Sequence, residues 1–126
     1  MRKEIEDRLI EFAAEVNNMR NHLELNDYAE NLFKQLSRSS SSAALNYGEA
    51  LGAESRKDFA HKIGIVLKEI RESYNNLRII SKSNFYKGDK LNLDTMINEC
   101  NQLVAIFYKT ALSLRKKSTT NNPPKP

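Results

Sequence analysis

Two polar stripes in the middle of the chain carry the side chains that are best placed to act together. Members of the first stripe are spaced by 4, 4 and 3 residues, so they share one helix face; they are Arg38, Ser42, Asn46 and Glu49. Members of the second stripe share a face of the next helical segment; they are Asp58, Lys62, Glu69 and Glu72. Opposite charges on two neighbouring helices could pair within a bundle or across a subunit boundary. A buried pair of this kind specifies register more than it adds stability.

Three interpretations of these stripes stay open. They are a structural or assembly network, the solvated faces of two amphipathic helices, or a ligand site. A catalytic version of the ligand site would be built from Arg38, Glu49, Glu69 and Glu72.

The remaining reactive side chains do not form a catalytic pattern. The chain has no GxxxxGK[ST] phosphate loop, no HExxH and no paired CxxC motif. His22 and His61 are isolated, and the serines at 39–42 have no base beside them. Cys100 falls on an apolar stripe, which indicates a buried core thiol rather than a nucleophile. We therefore expect a protein that is not an enzyme and that uses no metal or cofactor.

Four segments must position these residues, because apolar side chains recur at helical spacing in each of them. The predicted helices span about 3–23, 27–53, 55–83 and 92–117. Short connections between them predict an all-α, antiparallel, up-down-up-down four-helix bundle within residues 1–117. The final stretch, STTNNPPKP, has the composition of a disordered basic tail over residues 118–126.

The second predicted helix contains a run that resembles a linker, RSSSSAALNYGEA at residues 38–50. The apolar register nevertheless continues through it by way of Leu36, Ser40, Ala43 and Tyr47. Serine costs only about half a kcal/mol relative to alanine inside a helix. The run is therefore predicted to be the narrow middle of one long helix, where another helix can approach closely.

Charge and composition limit the location and the partners of the protein. No apolar run reaches the length of a membrane span, and the N-terminal stretch MRKEIEDRLIEF lacks a secretory pattern. The single cysteine permits no internal disulfide. We therefore expect a cytoplasmic protein.

The net charge is +4, yet four basic residues and no acid follow residue 114, which leaves 16 charges of each sign before it. Arg115, Lys116 and Lys117 are thus candidate nucleic-acid contacts. They would equally suit the negative end of a helix dipole.

The stretch QLSRSSSSAALNYGEALGAESRKDFAHKIGIVLKEIRES resembles the central signature of the 23S rRNA-intervening-sequence protein family. That signature reads QL-x-RS-x-x-S-x-x-x-N-x-x-EA, then S-x-x-DF-x-x-K, then KE-x-x-E. It falls on Gln35, Leu36, Arg38, Ser39, Ser42, Asn46, Glu49, Ala50, Ser55, Asp58, Phe59, Lys62, Lys68, Glu69 and Glu72. One departure is visible: many members carry a tryptophan shortly after the last block, where this chain has Asn75 and Asn76.

The resemblance implies a four-helix bundle that assembles as a ring-shaped homo-oligomer, typically a pentamer, and whose biochemical role is unsettled. More distant relatives, the accessory proteins of diversity-generating retroelements, are pentamers that bind a reverse transcriptase and nucleic acid. The implied partners are therefore further copies of the chain, and RNA or a nucleic-acid-processing protein. The resulting hypothesis is a non-catalytic oligomeric scaffold that binds RNA or a ribonucleoprotein. The alternative is a protein–protein interaction module with no nucleic-acid contact.

Overall fold

Helices account for most of the residues that the structure describes. The structure is a computed structural model that describes the backbone of residues 2–121 and the side chains of residues 2–117. Within that part the chain forms four α-helices: α1 (Arg2–Asn18), α2 (Asp27–Leu51), α3 (Arg56–Lys82) and α4 (Lys90–Asn121). A 3-10 turn, Met19–His22, follows α1. This is the predicted all-α four-helix bundle.

The helix ends differ from the predicted ones by a few residues, for local reasons. Helix α2 ends at Leu51 rather than near 53, because the Gly52 amide turns back to the Glu49 carbonyl at 3.1 Å. The Ser55 hydroxyl caps α3 by accepting from the Asp58 amide at 3.0 Å. Helix α4 begins two residues early, at Lys90, beside the Asp89 carboxylate, which accepts from the Leu91 amide at 3.0 Å.

Helix α4 also extends to Asn121, four residues beyond the predicted end at 117. Residues 118–121 of the predicted tail are therefore part of the helical backbone. The rest of that predicted tail, residues 122–126, lies outside the described residues.

The first helix stops earlier than its apolar stripe predicts, because the backbone after it pairs with another loop. Leu23 is extended and forms an isolated antiparallel β-bridge with Tyr86, in the connection between α3 and α4. The Glu24 amide donates to the Phe85 carbonyl at 2.8 Å. On the same connection, Asn84 ends α3 in a left-handed conformation (φ 57°), which asparagine tolerates better than most residues. These hydrogen bonds hold two of the interhelical loops together at one end of the bundle.

The core forms from the predicted stripes of all four helices. Its fully buried large side chains include Leu9, Phe12 and Val16 of α1, Leu36 of α2, Ile63, Ile70 and Leu77 of α3, and Leu103 and Phe107 of α4. On α3, Asn76 is buried, and its amide donates to the Leu32 carbonyl at 3.0 Å. Among the described residues its Oδ1 is the one fully buried side-chain oxygen or nitrogen without a partner.

Neighbouring helices do not pack equally closely. The α2–α3 pair makes the most extensive contact, followed by α3–α4 and α1–α2, whereas α1 and α4 touch only sparsely. The bundle is therefore well closed on three sides and more open on the fourth. Among the described helices, none combines the length and apolar composition that crossing a bilayer requires.

Candidate assembly face and nucleic-acid interface

The serine run lies at the centre of the closest helix pair. Ser39 and Ser40 are completely buried, and the Ser39 hydroxyl lies 2.7 Å from that of Ser73 on α3. Ser73 also donates to the Glu69 carbonyl of the preceding turn at 3.1 Å. Helix α2 therefore runs unbroken through the run. Its small side chains allow α3 to approach.

Small residues also face α1 on the other side of α2. A Cβ atom on Gly48 would lie 3.3 Å from a carboxylate oxygen of Glu6, and the Ser37 hydroxyl donates to the Asn17 side chain at 2.7 Å. Because α2 is narrow on two sides, it can be the helix between α1 and α3. Its third side, which carries the first polar stripe, is left facing outward.

The two predicted polar stripes meet at two points along the α2–α3 contact. At the first point the Arg38 guanidinium donates to Glu69 at 2.8 Å and also to Glu72. At the second point Lys62 Nζ donates to Glu49 at 2.7 Å. Five of the eight residues therefore form two separate ion-pair clusters within one chain rather than one continuous network.

The other members of the stripes make local contacts. Asn46 Nδ2 donates to the carbonyl and hydroxyl of Ser42, at 2.9 and 3.0 Å, within α2 itself. Asp58 is exposed and contributes its backbone amide to the Ser55 cap. These three residues do not join the ion pairs between the helices.

The cluster around Arg38 differs from an ordinary surface ion pair because one partner is buried. The Glu69 side chain is 7% exposed, while the Arg38 side chain is 55% exposed and reaches it from the surface. The Glu69 carboxylate raises the pKa of the Arg38 guanidinium, and Glu72 adds to the effect. Arg38 thus neutralises a carboxylate that has little contact with solvent.

An exposed leucine lies between the two clusters. Leu45 is 67% exposed and follows Ser42 by three residues on the outward stripe of α2. The half-buried Ile65 interrupts the matching stripe of α3 between Lys62 and Glu69. Leu45 was not predicted from the sequence as a site residue, although an apolar residue at helical spacing within a polar stripe is a visible signal. We call the surface formed by Arg38, Leu45, Glu49, Lys62 and Ile65 the α2–α3 face.

The fold gathers cations from three separate segments at one end of the bundle. Arg2, Arg56 and Lys117 line a single open cavity of about 410 Å³. The Arg2 guanidinium also lies over the Phe59 ring, 5.1 Å from its centroid. We call this region, formed by residues 2–6, 53–58 and 114–117, the cationic end. Of its members, only the three cations at positions 115–117 were predicted from the sequence as nucleic-acid contacts.

The isolated reactive residues lie apart from one another. Cys100 is completely buried, its thiol donates to the Ile70 carbonyl at 3.5 Å, and burial raises its pKa. His22 packs beside the Tyr86 ring, with centroids 6.1 Å apart, and His61 is exposed on α3. In residues 2–117, no three His, Cys, Asp or Glu side chains are grouped so that they could hold a metal ion.

Comparison with known proteins relates this bundle to one family. The model of the family described as "23S rRNA-intervening sequence protein" matches residues 3–109. A crystal structure from Bacteroides thetaiotaomicron, of a protein of unknown function from the S23 ribosomal protein family, is similar to the chain with a TM-score of 0.74 and 25% sequence identity. The alignment covers 85% of this chain and 97% of that one. No curated protein gives a significant match.

Proposed function

This chain belongs to the 23S rRNA-intervening sequence protein family, and from that premise we propose that it is a non-catalytic, homo-oligomeric scaffold that binds RNA. The observation that carries the RNA half of the proposal is the cationic end. It holds seven cationic side chains against four acidic ones, although residues 1–114 as a whole are neutral. A surface with such an excess attracts phosphate through charge and without sequence preference.

The excess of cationic side chains, rather than the helix dipoles, makes this end positive. Helices α1 and α3 begin there, at Arg2 and Arg56, but α2 and α4 end on the same side, so the four helix dipoles largely offset one another. The opposite end has no such excess, because its exposed cations are interspersed with acids such as Glu24, Asp27 and Asp89. RNA should therefore contact one end of the bundle rather than its sides.

We expect the double variant Arg56→Gln/Lys117→Gln to bind structured RNA more weakly than the wild type. Both cations line the cavity at the cationic end. The slope of log K against log salt should become shallower by about 0.7 to 0.9 for each phosphate that the variant no longer neutralises. Filter binding across a salt series measures both the affinity and its salt dependence.

The matched control is Lys82→Gln/Lys90→Gln, which removes the same charge from exposed positions at the opposite end. It should leave the affinity for structured RNA and the salt dependence of that affinity unchanged. If wild-type protein retains no structured RNA at low salt, the RNA half of the proposal is wrong. The alternative of a protein–protein interaction module without nucleic-acid contact then stands.

The α2–α3 face supports the oligomeric half of the proposal. It has an apolar centre, Leu45 and Ile65, between the ion-pair clusters of Arg38 and Lys62, and it therefore carries both signs of charge. In a ring each copy contacts its two neighbours through two different patches, so this face would pack on another surface of the next copy, with apolar side chains at the centre and charges of both signs at the rim. A ring, typically of five copies, is the assembly expected from the family resemblance.

Leu45→Glu should therefore dissociate the assembly. Light scattering at micromolar concentration should give several times 14.5 kDa for the wild type and 14.5 kDa for the variant. Ile79→Glu is the control, because Ile79 is an exposed apolar residue on α3 (48%) outside this face. A monomeric wild type would overturn the oligomer, and dissociation by both variants would overturn the assignment of the face.

A further inference from the structure

The sparse contact between α1 and α4 leaves a groove of about 590 Å³ beside the cationic end. Tyr47, Phe59 and Ile106 provide an aromatic and apolar lining. Arg2, Lys109 and Lys117 stand on its rim, with Glu4 as the one acid among the lining residues. The groove thus combines an apolar interior with a cationic mouth.

Tyr47 belongs to the core through its ring, but the core gives its hydroxyl no hydrogen-bond partner. It is 5% exposed, and its ring packs edge-on against Phe107 with centroids 5.3 Å apart. Its hydroxyl makes no hydrogen bond with the described residues, yet it is not among the side-chain atoms sealed from solvent, so it opens on the groove. Buried tyrosine hydroxyls usually have a partner, and here a bound molecule could supply it.

The dimensions limit what the groove can hold. Its lining runs from Arg2 to Arg8 on α1 and from Ile106 to Lys117 on α4, which at 1.5 Å per residue is roughly 9 Å and 16 Å. The inner end is closed by Arg8, which donates to Glu99 through Nε at 3.0 Å and to Gln102 at 3.2 Å. The volume of about 590 Å³ lies within the range typical of small-molecule sites.

We propose that this groove binds one unpaired nucleotide, with the base against Phe59 and Ile106 and the phosphate at the cations of the mouth. The Tyr47 hydroxyl then bonds to the edge of the base. This inference names a ligand for the proposed function, and the claim that the nucleotide is part of an RNA strand rests on that function. A nucleotide joins a flat base to an anionic phosphate, and the groove joins an aromatic interior to a cationic mouth. Proteins commonly recognise RNA through such unstacked bases of single strands.

The test compares Tyr47→Phe with the wild type for two labelled probes of equal length, a single-stranded oligouridylate and an RNA duplex. The substitution keeps the ring and removes the unpartnered hydroxyl, so the variant should fold with an unchanged melting temperature. Its affinity for the single strand should fall about five- to tenfold, while its affinity for the duplex should not change. Tyr28→Phe, at an exposed tyrosine (79%) of the opposite end, should change neither.

A second experiment measures the binding of uridine monophosphate and adenosine monophosphate to the same variants. It shows whether the groove takes a free nucleotide or a nucleotide within RNA. If both probes bind and Tyr47→Phe changes neither affinity, the groove site is wrong while RNA binding stands. If neither probe binds but a mononucleotide does, with Tyr47-dependent affinity, the groove site stands and the RNA function is wrong. If no probe and no mononucleotide binds, both are wrong.

Discussion

Replacing Ser39 with leucine is expected to lower the free energy of unfolding by about 3 kcal/mol or more. Ser39 is completely buried at the closest helix contact, and its hydroxyl lies 2.7 Å from that of Ser73. The larger leucine side chain would force α2 and α3 apart. The substitution would also leave the Ser73 hydroxyl without its cross-helix partner. Urea unfolding, with every variant at the same protein concentration, measures the loss.

Two further variants separate packing from hydrogen bonding at this contact. Ser39→Ala should cost only about 1 kcal/mol, and adding Ser73→Ala should cost little more, because both polar groups are then absent. Gln35→Leu, on the exposed side of α2, should stay within about 0.5 kcal/mol of the wild type. If Ser39→Leu were as stable as Gln35→Leu, the serine run would not be a close helix contact.

Replacing Arg38 with methionine is expected to destabilise the protein by about 2 kcal/mol. The variant keeps most of the aliphatic stem but leaves the Glu69 carboxylate, whose side chain is 7% exposed, without its cation. We place the loss below the largest values known for buried pairs because Arg38 itself is half-exposed and water can partly replace it. Removing the carboxylate as well, in Arg38→Met/Glu69→Leu, should recover part of the loss.

Arg20→Met is the matched control for this prediction. Arg20 and Glu30 form an exposed pair at 3.5 Å, with side chains 66% and 52% exposed. Such a pair contributes at most about 1 kcal/mol. A loss in Arg38→Met no larger than in Arg20→Met would contradict the structural role of Arg38. Unchanged stability combined with a lower mass in light scattering would instead place the pair in a subunit contact.

Much of the fold follows from the sequence, and the serine run shows why. A linker would have lost the apolar register, whereas Leu36, Ala43 and Tyr47 keep it on both sides of Ser40. Helical periodicity and capping are properties of short stretches of chain, so they can be recognised without knowledge of the fold. The early end of α1 could not be foreseen in this way, because it depends on pairing between Leu23 and Tyr86, far apart in sequence.

The candidate sites could be predicted only in part, because they too depend on contacts between distant segments. Spacing placed Arg38 and Glu49 on one helix face, but it could not show that Arg38 meets Glu69 and Glu72 while Glu49 meets Lys62. Those partners depend on how far two packed helices are rotated and offset against each other. Tyr47 illustrates the same limit, since its position on an apolar stripe does not reveal an unpartnered hydroxyl beside a groove.

The sequence by itself determined four helices, the side chains that form the core, and the narrow middle of α2. Only the tertiary structure decided that Arg2, Arg56 and Lys117 lie together and that α1 and α4 leave a groove between them. Local periodicity follows from the geometry of one helix. The grouping of charges and cavities depends instead on contacts between helices that no single segment contains.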